Sequence, residues 1–200
     1  MISMTMKPFI IYTFAAFLLV GCSSRGTHQF ILEEQLKNPL FAEWYYEELT
    51  QRMVELEIKQ DPLLKDERKK VASDATRREA LQKAKEAGKK QLQGMLGSLI
   101  SILEETTGEV LYVDDAVYFG PDFFATPGIS MHVFLTTVVD PRDVTFPDET
   151  AMDLGPMQSP YDTGAYPVPP VENPLLFRTV VLLDTTLNRI HGFAQLSPSF

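Results

Sequence analysis

The sequence predicts an α+β protein, an N-terminal helical hairpin or stalk followed by an antiparallel β-sandwich. Three observations carry that expectation. Asn38-Pro39 and Asp61-Pro62 each set a capping residue before a proline suited to a first helical turn. The charge balance then changes near Gly108: residues 22–107 hold 14 basic and 15 acidic residues, residues 108–200 hold 3 and 12. Beyond Gly108, short β-branched and aromatic runs alternate with Gly, Pro and Asp clusters, the pattern of strands and turns.

Residues 1–21 read as a signal peptide and are set aside from the fold. Lys7 supplies a positive start, and Pro8 to Val20 run for 13 residues without a charge. That fits the roughly 7–15-residue apolar core of an export signal and falls short of the ~20 residues a membrane-spanning helix needs. The run closes in Leu19-Val20-Gly21-Cys22, which resembles the bacterial lipobox. By that likeness Cys22 is the lipidated first residue of a mature lipoprotein, with a diacylglyceryl group and an acyl chain of the palmitate type. Several chains matter, because each buried CH₂ contributes only ~0.8 kcal/mol. The other reading is an uncleaved membrane anchor with an incidental cysteine. Ser23 stands where an aspartate would resemble the inner-membrane retention signal, so the likeness implies the outer membrane of the cell envelope, facing the periplasm. Residues 22–37 would then be the lipidated cysteine and a tether. Cys22 is the only cysteine, so no disulfide supports the fold.

Residues 38–107 are expected to be the hairpin or stalk. After Asn38, Leu40, Phe41, Trp44, Tyr45, Leu49, Met53, Leu56 and Ile58 recur at helical spacing. After Asp61 the chain runs without proline to a stop at Thr106-Thr107-Gly108, which predicts a second helix of ~65 Å if unbroken. Its charged middle ends in an apolar stripe of Leu92, Met95, Leu96, Leu99, Ile100, Ile102 and Leu103 that should pack on the first helix or the next domain. Gly88, Gly94 and Gly97 weaken it locally. A partner-binding stalk and a plain hairpin covering one side of the domain remain equal readings. Basic and acidic residues interleave here, which suits ion-paired helix faces and argues against nucleic acid.

Residues 108–200 are expected to be the sandwich. Glu109–Val113 and Ala116–Phe119 flank a turn at Asp114-Asp115, and Met131–Val139, Phe177–Leu183 and Asn188–Leu196 are the further strands. The proline-rich stretch Tyr161–Pro174 is read either as an extended edge segment or as a crossing between the sheets.

These pieces, in order, resemble the DM-thirteen domain, a β-sandwich module proposed to act in electron transfer. Thr126-Pro127-Gly128 with Met131-His132-Val133-Phe134-Leu135 is similar to its turn-then-strand signature. Asp153-Leu154-Gly155, then Gly164 with Tyr166, Val168 and Pro169, are similar to the next landmarks. Thr179–Leu183 and Gly192–Leu196 are similar to its closing strands. The family's usual redox cysteine would fall at Asp184, and a carboxylate cannot do thiol chemistry. The likeness therefore implies the fold more firmly than the activity.

No hydrolase elbow and no His-Glu-x-x-His pattern occur, and the expectation is a non-enzyme without a cofactor. His132 and His191, both placed on outer strand faces, are weak candidate metal or haem ligands, with Met131, Met152 and Met157 as soft neighbours. Asp140, Asp143, Asp148, Glu149 and Asp153 are either a calcium loop or a solvated acidic loop. The leading functional expectation is an envelope binding or scaffold module with a protein partner. Electron transfer with an unidentified cofactor and a structural tether acting through the helices are the alternatives.

Overall fold

The helical segment begins at a residue that serves two regions at once. In the computed structural model, which describes residues 31–199, a short helix α1 (Leu32–Gln35) leads to α2 (Pro39–Ile58). Asn38 caps α2: its side-chain oxygen accepts from the Leu40 and Phe41 amides at 3.0 and 3.4 Å. Its Nδ2 donates to the Phe119 and Thr163 carbonyls at 2.7 and 2.9 Å. One buried amide thus starts the helix and pins it to the β-region. Cys22 and the signal-like segment lie outside the described residues.

A connection with a 3-10 turn at Pro62–Lys65 leads to α3 (Glu67–Gln91). Asp61 and Asp66 cap the turn and the helix through the Leu63 and Arg68 amides, each at 2.9 Å. The two helices pack antiparallel. Arg77 reaches Glu57 at 2.9 Å, Lys83 lies 5.2 Å from the Tyr46 ring centre, and Gln91 donates to Glu43 at 2.6 Å. The element is therefore a hairpin. In α2 only Pro39 to Ala42 are buried, and in α3 only Ala80 and Ala84, small residues facing the partner helix. Past its root, the hairpin packs mainly on itself among the described residues. Among the described residues no helix is long and apolar enough to cross a membrane.

The second helix is shorter than its sequence suggests. It stops at Gln91, and Met95–Ser101 forms a strand, β1, where a helical stripe was expected. The β-region therefore begins at Met95 and not at Gly108. Two glycines explain the change. A Cβ on Gly94 would sit 2.6 Å from the Tyr112 carbonyl, and one on Gly97 would collide with the Gln195 carbonyl. Glycine permits these close approaches, and it costs a helix ~1 kcal/mol, so both effects favour the strand.

The remaining strands are β2 (Thr106–Thr107), β3 (Glu109–Val113), β4 (Ala116–Phe119), β5 (Phe124–Ala125) and β6 (Met131–Thr136). They are followed by β7 (Met152–Pro156), β8 (Ala165–Pro167), β9 (Thr179–Asp184), β10 (Arg189–Gln195) and β11 (Ser197–Pro198). The main sheet runs β7-β6-β9-β10-β1-β3-β4-β8 with β11 beside β1, and β2 pairs separately with β5. Its pairings are antiparallel.

β1 belongs to two leaves. Residues 95–98 pair with β3, whereas residues 99–101 pair with β10. A strand that changes partners in this way turns the corner of a sandwich and makes it nearly a barrel. Met95, Val110, Val117 and Phe119 of one leaf face Val133, Leu135, Val180 and Leu182 of the other. The outer faces are covered as well. Leu40 of the hairpin root packs on Leu111, Val113, Ala116 and Tyr118, while Phe146 covers Phe134, Val181, Leu183 and Phe193. Burial on both faces explains why Val180–Leu183 reads as an unbroken apolar run.

The proline-rich stretch fulfils both of its readings. β8 is an edge strand on β4, and the chain around it passes from the β7 edge of one leaf to the β8 edge of the other. Asp162 fixes this crossing, accepting from the Tyr166 hydroxyl at 2.6 Å and the Gly164 amide at 2.8 Å.

Candidate functional site

The residues singled out by sequence occupy separate places. Asp184 ends β9 and is fully buried. One carboxylate oxygen accepts from the Ile129 amide at 2.6 Å, and the other from Thr186 and Leu187 at 2.9 and 3.1 Å. Burial pushes the carboxyl upward in pKa, and these backbone donors outweigh it, holding it below the ordinary carboxylate range. Asp184 therefore clamps the 127–130 loop to the turn between β9 and β10. A Cβ on Gly128 would come within 2.6 Å of that carboxylate. The Asp-Thr-Thr-Leu-Asn sequence between two strands was the available signal for such a turn.

His132 lies on the outer face of β6, as expected. Its Nδ1 is 2.8 and 3.0 Å from the two Asp153 carboxylate oxygens, and Asp153 also accepts from the Gly155 amide at 2.8 Å. His191 departs from expectation. It is buried at an irregularity of β10 between Ile190 and Gly192, and its Nδ1 donates to the Thr126 carbonyl at 3.1 Å. Bulges arise from pairing register, which the β10 sequence alone does not display. Met131 is in the core, and Met152 and Met157 pack against it.

Asp140 and Asp148 of the acidic loop are answered locally. Asp140 caps a 3-10 turn at Pro141–Asp143 and pairs with Arg142 at 2.6 Å. Asp148 accepts from the Thr136 and Thr150 hydroxyls, both at 2.7 Å. Among the described residues, no group of three or more His, Cys, Asp or Glu is placed to hold a metal ion.

Two concavities lie beside the hairpin root. A groove of about 720 Å³ runs between the helices and the β1–β11 edge, lined by Glu43, Gln91, Leu96, Gln195 and Ser199 among others. A hollow of about 370 Å³ that shares Glu43 with the groove is lined also by Trp44, Glu47, Glu109 and Asp122. Both present hydrogen-bond acceptors and carboxylates, chemistry suited to a donor-rich or cationic group. Sequence reasoning missed them, because each is assembled from the root of the hairpin and strands far along the chain. Neither protein-family models, nor curated proteins, nor solved structures provide a match to the chain.

Proposed function

We propose that the protein is a lipid-anchored component of the bacterial cell envelope with a non-catalytic binding or scaffold role. Cys22 would hold it at the outer membrane, and the β-region would be a DM-thirteen-like frame. The ordered landmarks of that likeness support the frame: the Met131–Leu135, Thr179–Leu183 and Gly192–Leu196 segments fall on β6, β9 and β10. The observation that carries the binding role is the hairpin itself, which is buried only at its root and leaves grooves and faces open beside a rigid sandwich. Asp184 supports this choice over a redox role at that position, since backbone amides occupy its carboxylate.

Two measurements test the proposal. Labelled fatty acid should enter the protein, and Cys22→Ser should abolish both the label and membrane retention. Crosslinking in intact envelopes should then capture a protein partner that is lost when residues 50–77 are replaced by a short Gly-Ser turn, which spares Asn38 and Gln91. Absence of labelling sinks the anchor. A captured set identical for both forms sinks binding through the hairpin.

A further inference from the structure

The far end of the hairpin combines two features that usually occur apart. Ile58, Leu63 and Val71 are 74, 55 and 56 % exposed, at the end of α2, in the connecting turn and in the second turn of α3. Around them, residues 58–71 hold five basic and three acidic residues in a chain of net charge −9. Lys59 is paired with Glu55 at 3.0 Å. Lys65, Arg68, Lys69 and Lys70 are exposed and form no ion pair among the described residues. Farther along the same helices Arg77 and Lys83 are paired, to Glu57 at 2.9 Å and Glu79 at 2.7 Å. Arg78, Lys85 and Lys89 there are exposed without an ion pair among the described residues, so what sets the tip apart is cations beside exposed aliphatic groups.

The position of these cations makes them costly to the fold. Arg68, Lys69 and Lys70 occupy the first turn of α3, where the helix macrodipole favours negative charge and opposes positive charge. Helix stability therefore does not account for them. Exposed aliphatic side chains close in sequence to unpaired cations are the composition of an interfacial lipid-binding surface: the apolar groups enter the headgroup boundary while the cations meet anionic headgroups. The same cations would repel the protein's own basic tip in a symmetric tip-to-tip pairing.

We infer that the tip of the hairpin, residues 58–71, docks on an anionic lipid surface. This holds whether or not Cys22 is acylated, and it adds a second point of membrane contact to the function proposed above.

Hydrogen–deuterium exchange on the full chain in nanodiscs, with excess vesicles added, tests the inference. The lipid is phosphatidylcholine alone or mixed with phosphatidylglycerol, so an anionic surface is present both beside the protein and free in solution. Amides of residues 58–71 should be protected with phosphatidylglycerol and not with phosphatidylcholine alone, and 0.5 M salt should reverse the effect. Changing Lys65, Arg68, Lys69 and Lys70 together to Gln should weaken vesicle partitioning about a hundredfold or more. Leu63→Ser should weaken it with the charges intact. All these positions are exposed, so the variants keep the fold, and the exchange pattern of β9 reports on it. Protection absent with both lipids overturns the inference, as does equal protection with both. Protection with phosphatidylcholine alone that grows with protein concentration assigns the tip to a second copy instead. Fatty-acid labelling of Cys22 is read separately, so failure of the anchor and failure of the tip give different results.

Discussion

The two ends of the hairpin are built on opposite terms. At the root the polar groups are answered: Asn38 makes bonds in both directions, Gln91 joins Glu43 and the Pro39 carbonyl, and Lys90 meets Asp114 at 2.8 Å. At the tip, four cations stand in solvent beside exposed aliphatic groups. A buried polar group must be satisfied within the protein or destabilise it, so the root's residues are committed to holding the two parts together. The tip's residues carry no such commitment. Sequence shows charge in both places, and only the partners distinguish its uses.

Substitutions can break or sharpen this contrast. The largest loss is expected from Asp184→Ala, the deepest of the satisfied groups, which strands the Ile129, Thr186 and Leu187 amides. Its pH signature follows from the lowered pKa. The stabilising contribution is complete above the unfolded carboxylate pKa of about 4 and is lost as pH falls through the lower folded value. Thermal melts from pH 7 to pH 2 should therefore show a smaller acid-induced drop in Asp184→Asn than in the parent. Equal drops would mean that another carboxylate controls acid unfolding.

Asn38→Ala comes next. It removes a helix cap and leaves the Phe119 and Thr163 carbonyls without their donor, for a loss of roughly 2–3 kcal/mol in urea denaturation. A loss below about 0.5 kcal/mol would show that the root is not pinned through this amide. A smaller effect of opposite sign is expected in the core. The Tyr112 hydroxyl is buried without a partner among the described residues, whereas that of Tyr166 donates to Asp162. Tyr112→Phe should stabilise by about 1 kcal/mol, and Tyr166→Phe should destabilise by a similar amount. The fourfold Gln change at the tip should move stability least, within about 0.5 kcal/mol, with any shift upward because the helix dipole is relieved. A marked loss there would place the tip on the root's terms.

How far the sequence reveals this protein depends on whether the determinants are local. Asn38-Pro39 announces α2 because a cap and a first-turn proline act within a few residues. β6, β9 and β10 were legible as apolar, β-branched runs, each within a few residues of its observed ends. β1 was not. Met95 and Leu99 turn inward while Leu96 faces the hairpin root, so its apolar residues pack on both sides and fit a helical stripe equally well. The deciding fact, that Gly94 and Gly97 lie against distant carbonyls, exists only once the chain has folded. The site divides in the same way. The likeness to DM-thirteen drew attention to Asp184, and its bonds to Thr186 and Leu187 are local, but the one from Ile129 depends on a loop 55 residues away. His191 was placed on an outer face because the irregularity that buries it comes from pairing with β9.

The strand shared by the two leaves also sets an order of events. β1 finds β3 close by in the chain, but its other neighbours, β10 and β11, come roughly 90 to 100 residues later. Until residues 189–198 have left the ribosome, half of β1 has no lasting partner and the leaves cannot be joined. Contacts of such long sequence separation form late and slowly. A nascent chain built this way keeps its two leaves apart until β10 and β11 have emerged. Delayed closure would be a handicap for a protein that folds where it is made. Under the export proposed above, the same delay would keep the chain able to thread a narrow channel.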